Sequence, residues 1–214
     1  MYIHSGGRMD KRQFDNSYFW IRKALSPLAL ILSISFCILY LLPLSSVFSG
    51  PDSMNLYVGF IYSLPGIKGF EVVFVVIPYL LHAAAFLVSI YSSSFNLVSY
   101  GYYGNYLYIL RRVSGLIAIP FIGYHLLAAR VASSVQNGFI DYAFMKGLLS
   151  SDAIVGFYAV GSASVMIYMV TSFLSFLSDF GIAASTRAKN IASSISWCVA
   201  VLLIIWCERI VFSF

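Results

Sequence analysis

The chain has 214 residues, of which 60% are apolar and 10% charged, with a net charge of +5. A soluble domain carries roughly a quarter charged residues, so this composition excludes a surface that faces water all round; most of it must face lipid. The basic residues stand between apolar stretches and never form one long basic face. That pattern fits membrane topology and anionic headgroups and excludes a nucleic-acid partner.

The chain begins with a polar tail, Met1–Lys23, that contains His4. The apolar run after it is therefore not expected to be a cleavable signal peptide. Five uncharged stretches follow: Pro27–Phe48, Val72–Tyr91, Val113–Ala129, Ala153–Leu177 and Ile191–Cys207. The first, 22 residues long, would make a helix of about 33 Å against a hydrocarbon core of about 30 Å. The third and fifth are at the lower limit, which predicts Arg112, Arg130 and Glu208 at interfaces. Barrel strands would alternate in polarity and these runs do not. The fold class is therefore all-α, an integral membrane bundle of five transmembrane helices near 27–48, 70–92, 108–131, 153–177 and 190–212. Residues 1–24 form a tail and 25–214 the single membrane domain. Between the helices, Ser49–Lys68, Ser92–Asn105, Arg130–Asp152 and Ser178–Asn190 read as loops from their Gly, Pro, Asn, Ser and Asp content. The three cysteines, Cys37, Cys198 and Cys207, lie inside apolar stretches without metal spacing and read as small buried residues.

With the N-terminus inside, nine basic residues fall on inner segments and four on outer ones. This favours a cytoplasmic N-terminus. Ionisable residues within lipid are costly and need a reason. Two histidines, His82 and His125, lie within predicted helices. They can be haem ligands, members of a proton path, or neutral imidazoles bonded to a neighbouring helix. Helix 2 should run inward and place His82 near or below mid-membrane. Helix 3 should run outward, and His125 lies 13 residues past Arg112, about 20 Å from the inner interface. The two histidines therefore belong to different levels and would not share one iron. Glu71 precedes His82, and Ser114 precedes His125, by 11 residues each, about three helical turns. Each pair should share a helix face, its first member an interfacial residue or one facing a cofactor or quinone.

The segment Tyr106–Arg130, YLYILRRVSGLIAIPFIGYHLLAAR, resembles helix 3 of the cytochrome b subunit of bacterial succinate dehydrogenases and fumarate reductases. Its Arg112-Val113-Ser114-Gly115 turn and His125 carry the likeness. SLPGIKGFEVVFVVIPYLLHA, ending at Ala83, resembles the family's helix 2; GFYAVGSASVMIYMVTSFLSFLSDFGI resembles helix 4, and FWIRKALSPL the entry to helix 1. The resemblance implies a five-helix anchor in the bacterial cytoplasmic membrane. It also implies a flavoprotein and an iron–sulfur protein as partners, electron transfer to a quinone such as menaquinone, and two haem b groups. Each haem would take one histidine from helices 2 and 4 or from helices 1 and 3. His82 and His125 match two of those four positions; the other two fall on Tyr168 and Tyr40. Tyr168 should lie at the inner level with His82, and Tyr40 at the outer level with His125. A further family histidine near the start of helix 1 is replaced by Leu25. A tyrosine ligand favours ferric haem but must ionise. Three outcomes stay open: haem held by one histidine at each level, one surviving site, or no haem, with aromatic rings filling the space. Arg22, Arg111, Arg112 and Ser114 are candidates for propionates, quinone oxygens or the docking face, and Glu71 for proton exchange at the outer side. The expected function is an anchor coupling succinate oxidation to quinone reduction, with no catalytic acid or nucleophile of its own. A haemless anchor of the same complex and a small proton-coupled transporter are the alternatives.

Overall fold

The computed structural model describes residues 11–91, 101–135 and 140–214, and the side chains of these apart from residues 11–19, 21, 22 and 129–135. His4 and the candidate side chain Arg22 lie outside the described residues, as does the side chain of Arg130. Every regular element among the described residues is helical. Five spans are long and apolar enough to cross a bilayer: span 1 Lys23–Ser49, span 2 Ile67–Tyr91, span 3 Tyr103–Ala128, span 4 Asp152–Asp179 and span 5 Thr186–Val211. "Inner" below names the end where span 1 begins, and "outer" the opposite end.

Span 4 is the centre of the bundle: spans 1, 3 and 5 all pack on it, and span 2 packs on span 1. Small side chains explain this position. Gly161, Ser162, Ser164 and Ser172 are buried along span 4, and small residues let helices approach closely where lipid offers no hydrophobic drive between them. A Cβ at Gly161 would come within 2.2 Å of the Phe121 ring, so span 3 seats an aromatic ring directly on the span 4 backbone.

Prolines shape spans 1 and 2. Pro43 follows a π-helical turn, Cys37–Leu41, and Pro78 follows another, Val72–Val76. A proline supplies no N–H and clashes with the carbonyl four residues back. Those carbonyls belong to Leu39 and Phe74, inside the widened turns. Such π turns recur at functional sites, and here they carry Tyr40 and adjoin Glu71.

Two connections differ from the expected loops. Within Ser49–Lys68, residues Pro51–Ser63 form a 13-residue helix. Gly50, at φ +106°, turns the chain into it, Pro51 opens it, and Asp52 lies in its first turn. These are helix-start signals as well as loop signals. Met54 and Val58, one turn apart, are buried, while Leu56, Tyr57 and Phe60 stay exposed. Within Arg130–Asp152, residues Tyr142–Leu148 are helical, capped by the Asp141 carboxylate accepting from the Phe144 N–H at 2.7 Å. The Tyr142 N–H donates to Asn55 Oδ1 at 2.8 Å, which joins the two short helices.

Candidate functional site

The polar interior has two levels. At the inner one, His82 Nε2 and the Tyr168 hydroxyl stand 2.6 Å apart, a short hydrogen bond between spans 2 and 4. His82 is buried at 4% exposure. Phe86 packs its ring edge-on to Tyr168, with centroids 5.5 Å apart, and stacks beside His82. Gly115 of span 3 makes room for this group: a Cβ there would meet Phe86 at 2.4 Å and Tyr168 at 2.8 Å. Ser172, one turn along span 4, faces the same phenol.

At the outer level, about 15 Å away by the ten residues separating Gly115 from His125, the pairing is different. His125 meets the Tyr40 ring edge-on at 5.5 Å between centroids. The Tyr40 hydroxyl does not reach the imidazole; it donates to Glu71 Oε1 at 2.7 Å, bridging spans 1 and 2. His125 Nδ1 makes a long 3.4 Å contact with the Tyr158 hydroxyl, and its Nε2 is sealed from solvent without a hydrogen-bond partner. Phe121 stacks beside the same imidazole. Tyr158 was not singled out from the sequence; a tyrosine in an aromatic-rich span carries no signal until its neighbours are known.

The structure thus brings His82 together with Tyr168, and His125 together with Tyr40 and, through Tyr40, with Glu71. The other candidates contact neighbouring helices or their own. Arg112, expected at an interface, is 3% exposed inside the bundle. Its Nη2 donates to the Ser89 carbonyl at 2.9 Å, and its guanidinium lies 4.3 Å over the Tyr108 ring. A guanidinium tolerates such burial because its planar fork satisfies donors and stacks on an aromatic face at once. The buried Ser114 hydroxyl donates back to the Leu110 carbonyl of its own helix at 2.7 Å. Arg111 donates to Ser175 Oγ at 2.6 Å. Glu208 is held from span 4 by Ser162, whose hydroxyl donates to it at 3.0 Å.

Haem can be tested against this geometry. Two axial atoms on one iron need a separation of about 4 Å, twice a metal–imidazole bond of about 2 Å. The 2.6 Å between His82 and Tyr168 leaves no place for iron between them. At the outer level His125 offers an unpartnered nitrogen, but the opposing phenol is committed to Glu71. The cavity running between the levels, lined by Tyr40, Tyr79, His82, His125 and Tyr168, is about 60 Å³, and a second beside His125 about 50 Å³. Cofactor pockets run to roughly 300–1,000 Å³. The inner level therefore does not fit haem. The outer level fits it in donor chemistry, and fits it in space only if Phe121 and Tyr40 move.

Five apolar spans around a buried histidine–tyrosine interior define a multi-pass membrane protein with a polar, aromatic-filled core. No family model matches the chain. It is 28% identical over 188 residues to the succinate dehydrogenase cytochrome b558 subunit of Bacillus subtilis (strain 168), a match covering 88% of this chain and 93% of that relative. The resemblance read from the helix segments therefore extends along almost the whole chain. With the five spans, it places the chain in the bacterial cytoplasmic membrane.

Proposed function

We propose that this chain is the membrane anchor subunit of a succinate dehydrogenase. It holds a flavoprotein and an iron–sulfur subunit at its inner, cytoplasmic end and passes electrons between the iron–sulfur subunit and a membrane quinone such as menaquinone. The observation that carries this reading is the end-to-end similarity to a subunit of that complex, on a bundle whose length and span number suit it. The excess of basic residues at the inner end supports the orientation. Dicarboxylate chemistry belongs to a partner subunit in this reading, and the anchor contributes positioning and proton access. Quinone reduction consumes two electrons and two protons. The Tyr40–Glu71 hydrogen bond joins two exchangeable groups at the outer level and suits a proton relay there. His82 and Tyr168 tie spans 2 and 4 together at the inner level, which holds no haem. A b haem, if bound, rests on His125.

Purification from the native membrane tests both parts. A flavoprotein and an iron–sulfur protein should accompany the chain, and their absence would remove the anchor reading in favour of a transporter. A pyridine haemochrome assay against covalent or bound flavin should give at most one haem per complex. Two haems per flavin would overturn the inner-level assignment. One haem whose α-band is lost in His125→Leu and kept in His82→Leu would locate it at the outer level. A count of zero leaves the haemless anchor.

A further inference from the structure

A cavity of about 430 Å³ lies away from the histidine levels, at the inner end between spans 3, 4 and 5. Spans 3 and 5 both pack on span 4 and meet each other here through side chains. The result is a wedge-shaped recess lined by all three spans. Its floor is apolar, formed by Leu107, Leu174 and Ala192. Its upper wall is polar, with Arg111, Lys189, Asn190, Thr186 and Ser178 around it and Asp179 as the acidic member. Two cations against one carboxylate leave an anion-favouring rim. The N-terminus of span 5, capped by Ser185 accepting from the Ala188 N–H at 3.1 Å, adds the positive end of a helix dipole. Arg111 is held toward the wall by its 2.6 Å hydrogen bond to Ser175. At the mouth, the Tyr103 hydroxyl pairs with Ser193 Oγ and accepts from Trp197 Nε1 at 3.1 Å. Tyrosine and tryptophan take such positions at the headgroup level of a bilayer.

A polar, cationic rim beside apolar side chains, at one end of three membrane spans, suits a two-ended molecule. We propose that this wedge binds one anionic phospholipid, its phosphodiester between Arg111 and Lys189 and an acyl chain leaving between spans 3 and 5. Basic pockets between transmembrane helices on the cytoplasmic side recognise acidic headgroups in this way. A quinone ring needs no pair of cations, and a docking protein surface would leave the apolar floor uncovered. The proposal does not depend on the haem count, although Arg111 also lines a small cavity with Tyr168 of the inner level.

The test uses the full chain, purified in neutral detergent with any subunits that accompany it and stripped of lipid. Native mass spectrometry follows titration with phosphatidylglycerol, phosphatidylcholine or inorganic phosphate. One phosphatidylglycerol should bind per chain, at least tenfold more tightly than phosphatidylcholine, and Arg111→Gln/Lys189→Gln should lose that preference. Lys189→Gln alone, at an exposed position, should weaken it severalfold and guards against a double variant that fails to fold. Equal binding of the two lipids, or an unchanged preference in Lys189→Gln, overturns the proposal. Inorganic phosphate competing at equal concentration would also overturn it, because the ligand would then be a free anion and not a lipid.

Discussion

The two levels of the bundle hold the same pair of residue types and use them in opposite ways. At the inner level the imidazole and phenol bond to each other at 2.6 Å, and Phe86 closes the space around them. At the outer level the phenol turns away to a carboxylate, and the imidazole keeps a sealed, unpartnered nitrogen. A buried polar group without a partner costs roughly 1–3 kcal/mol. Each level keeps one such nitrogen, His82 Nδ1 and His125 Nε2, but only at the inner level does the other imidazole nitrogen make a short hydrogen bond. The two tyrosines act differently because their neighbours differ: Glu71 is within reach of Tyr40, whereas Tyr168 meets His82 itself.

The largest effect should come from filling the glycine notches. Gly161→Ala would drive a methyl into the root of the Phe121 ring, with the ring Cγ at 2.3 Å. That atom moves only if χ1 of Phe121 changes. Gly115→Ala meets the tip of Phe86, with Cζ at 2.4 Å, and a ring tip can swing. Overpacking a close-packed interior costs about 1–3 kcal/mol. Gly161→Ala should fall at or above the top of that range and Gly115→Ala below it, read as thermal unfolding in detergent. The reverse order would show that the inner level, not the outer, is the more tightly packed.

The second effect separates the histidines directly. Tyr168→Phe removes the partner of His82 and should cost about 1–3 kcal/mol. His82→Leu combined with Tyr168→Phe should recover most of it, since the orphaned polar atom is then gone. His125→Leu should cost less than Tyr168→Phe, because the nitrogen it removes bonds nothing and the other contact is 3.4 Å long. Equal costs for Tyr168→Phe and His125→Leu, measured by denaturant unfolding, would erase the distinction between the levels.

Much of this arrangement was legible in the sequence, and the rest fails for identifiable reasons. The spans follow from uncharged length, and the pairing of His82 with Tyr168 comes from the family resemblance, with helix direction and rise in agreement. The Tyr40–Glu71 bond does not, because π turns at Cys37–Leu41 and Val72–Val76 each add a residue to a turn. An 11-residue face rule, built on 3.6 residues per turn, does not run through them. Prolines 43 and 78 were the available signal. The helix Pro51–Ser63 was hidden for another reason: glycine, proline and aspartate mark helix entry as readily as a loop. The inner wedge was invisible because it arises from two spans sharing one neighbour, a property of packing that no single helix displays.

The smallest effect sharpens what the outer level is for. Glu71→Gln keeps a carbonyl oxygen for the Tyr40 hydroxyl and removes a group that can exchange protons. Tyr40→Phe keeps the ring against His125 and removes the bond. If the pair only holds spans 1 and 2 together, Tyr40→Phe should cost about 1 kcal/mol, Glu71→Gln close to nothing, and neither should change turnover. If the pair relays protons to quinone, both should lower succinate–quinone reductase rates severalfold. Succinate oxidation with an artificial acceptor that bypasses the membrane would then stay unchanged. The relay reading requires Glu71→Gln to lose quinone activity while unfolding normally, since its hydrogen-bond acceptor is retained and only its capacity to exchange a proton is gone. A Glu71→Gln variant with full quinone activity would reduce the outer level to a packing contact and leave His125 as its one chemically distinct group.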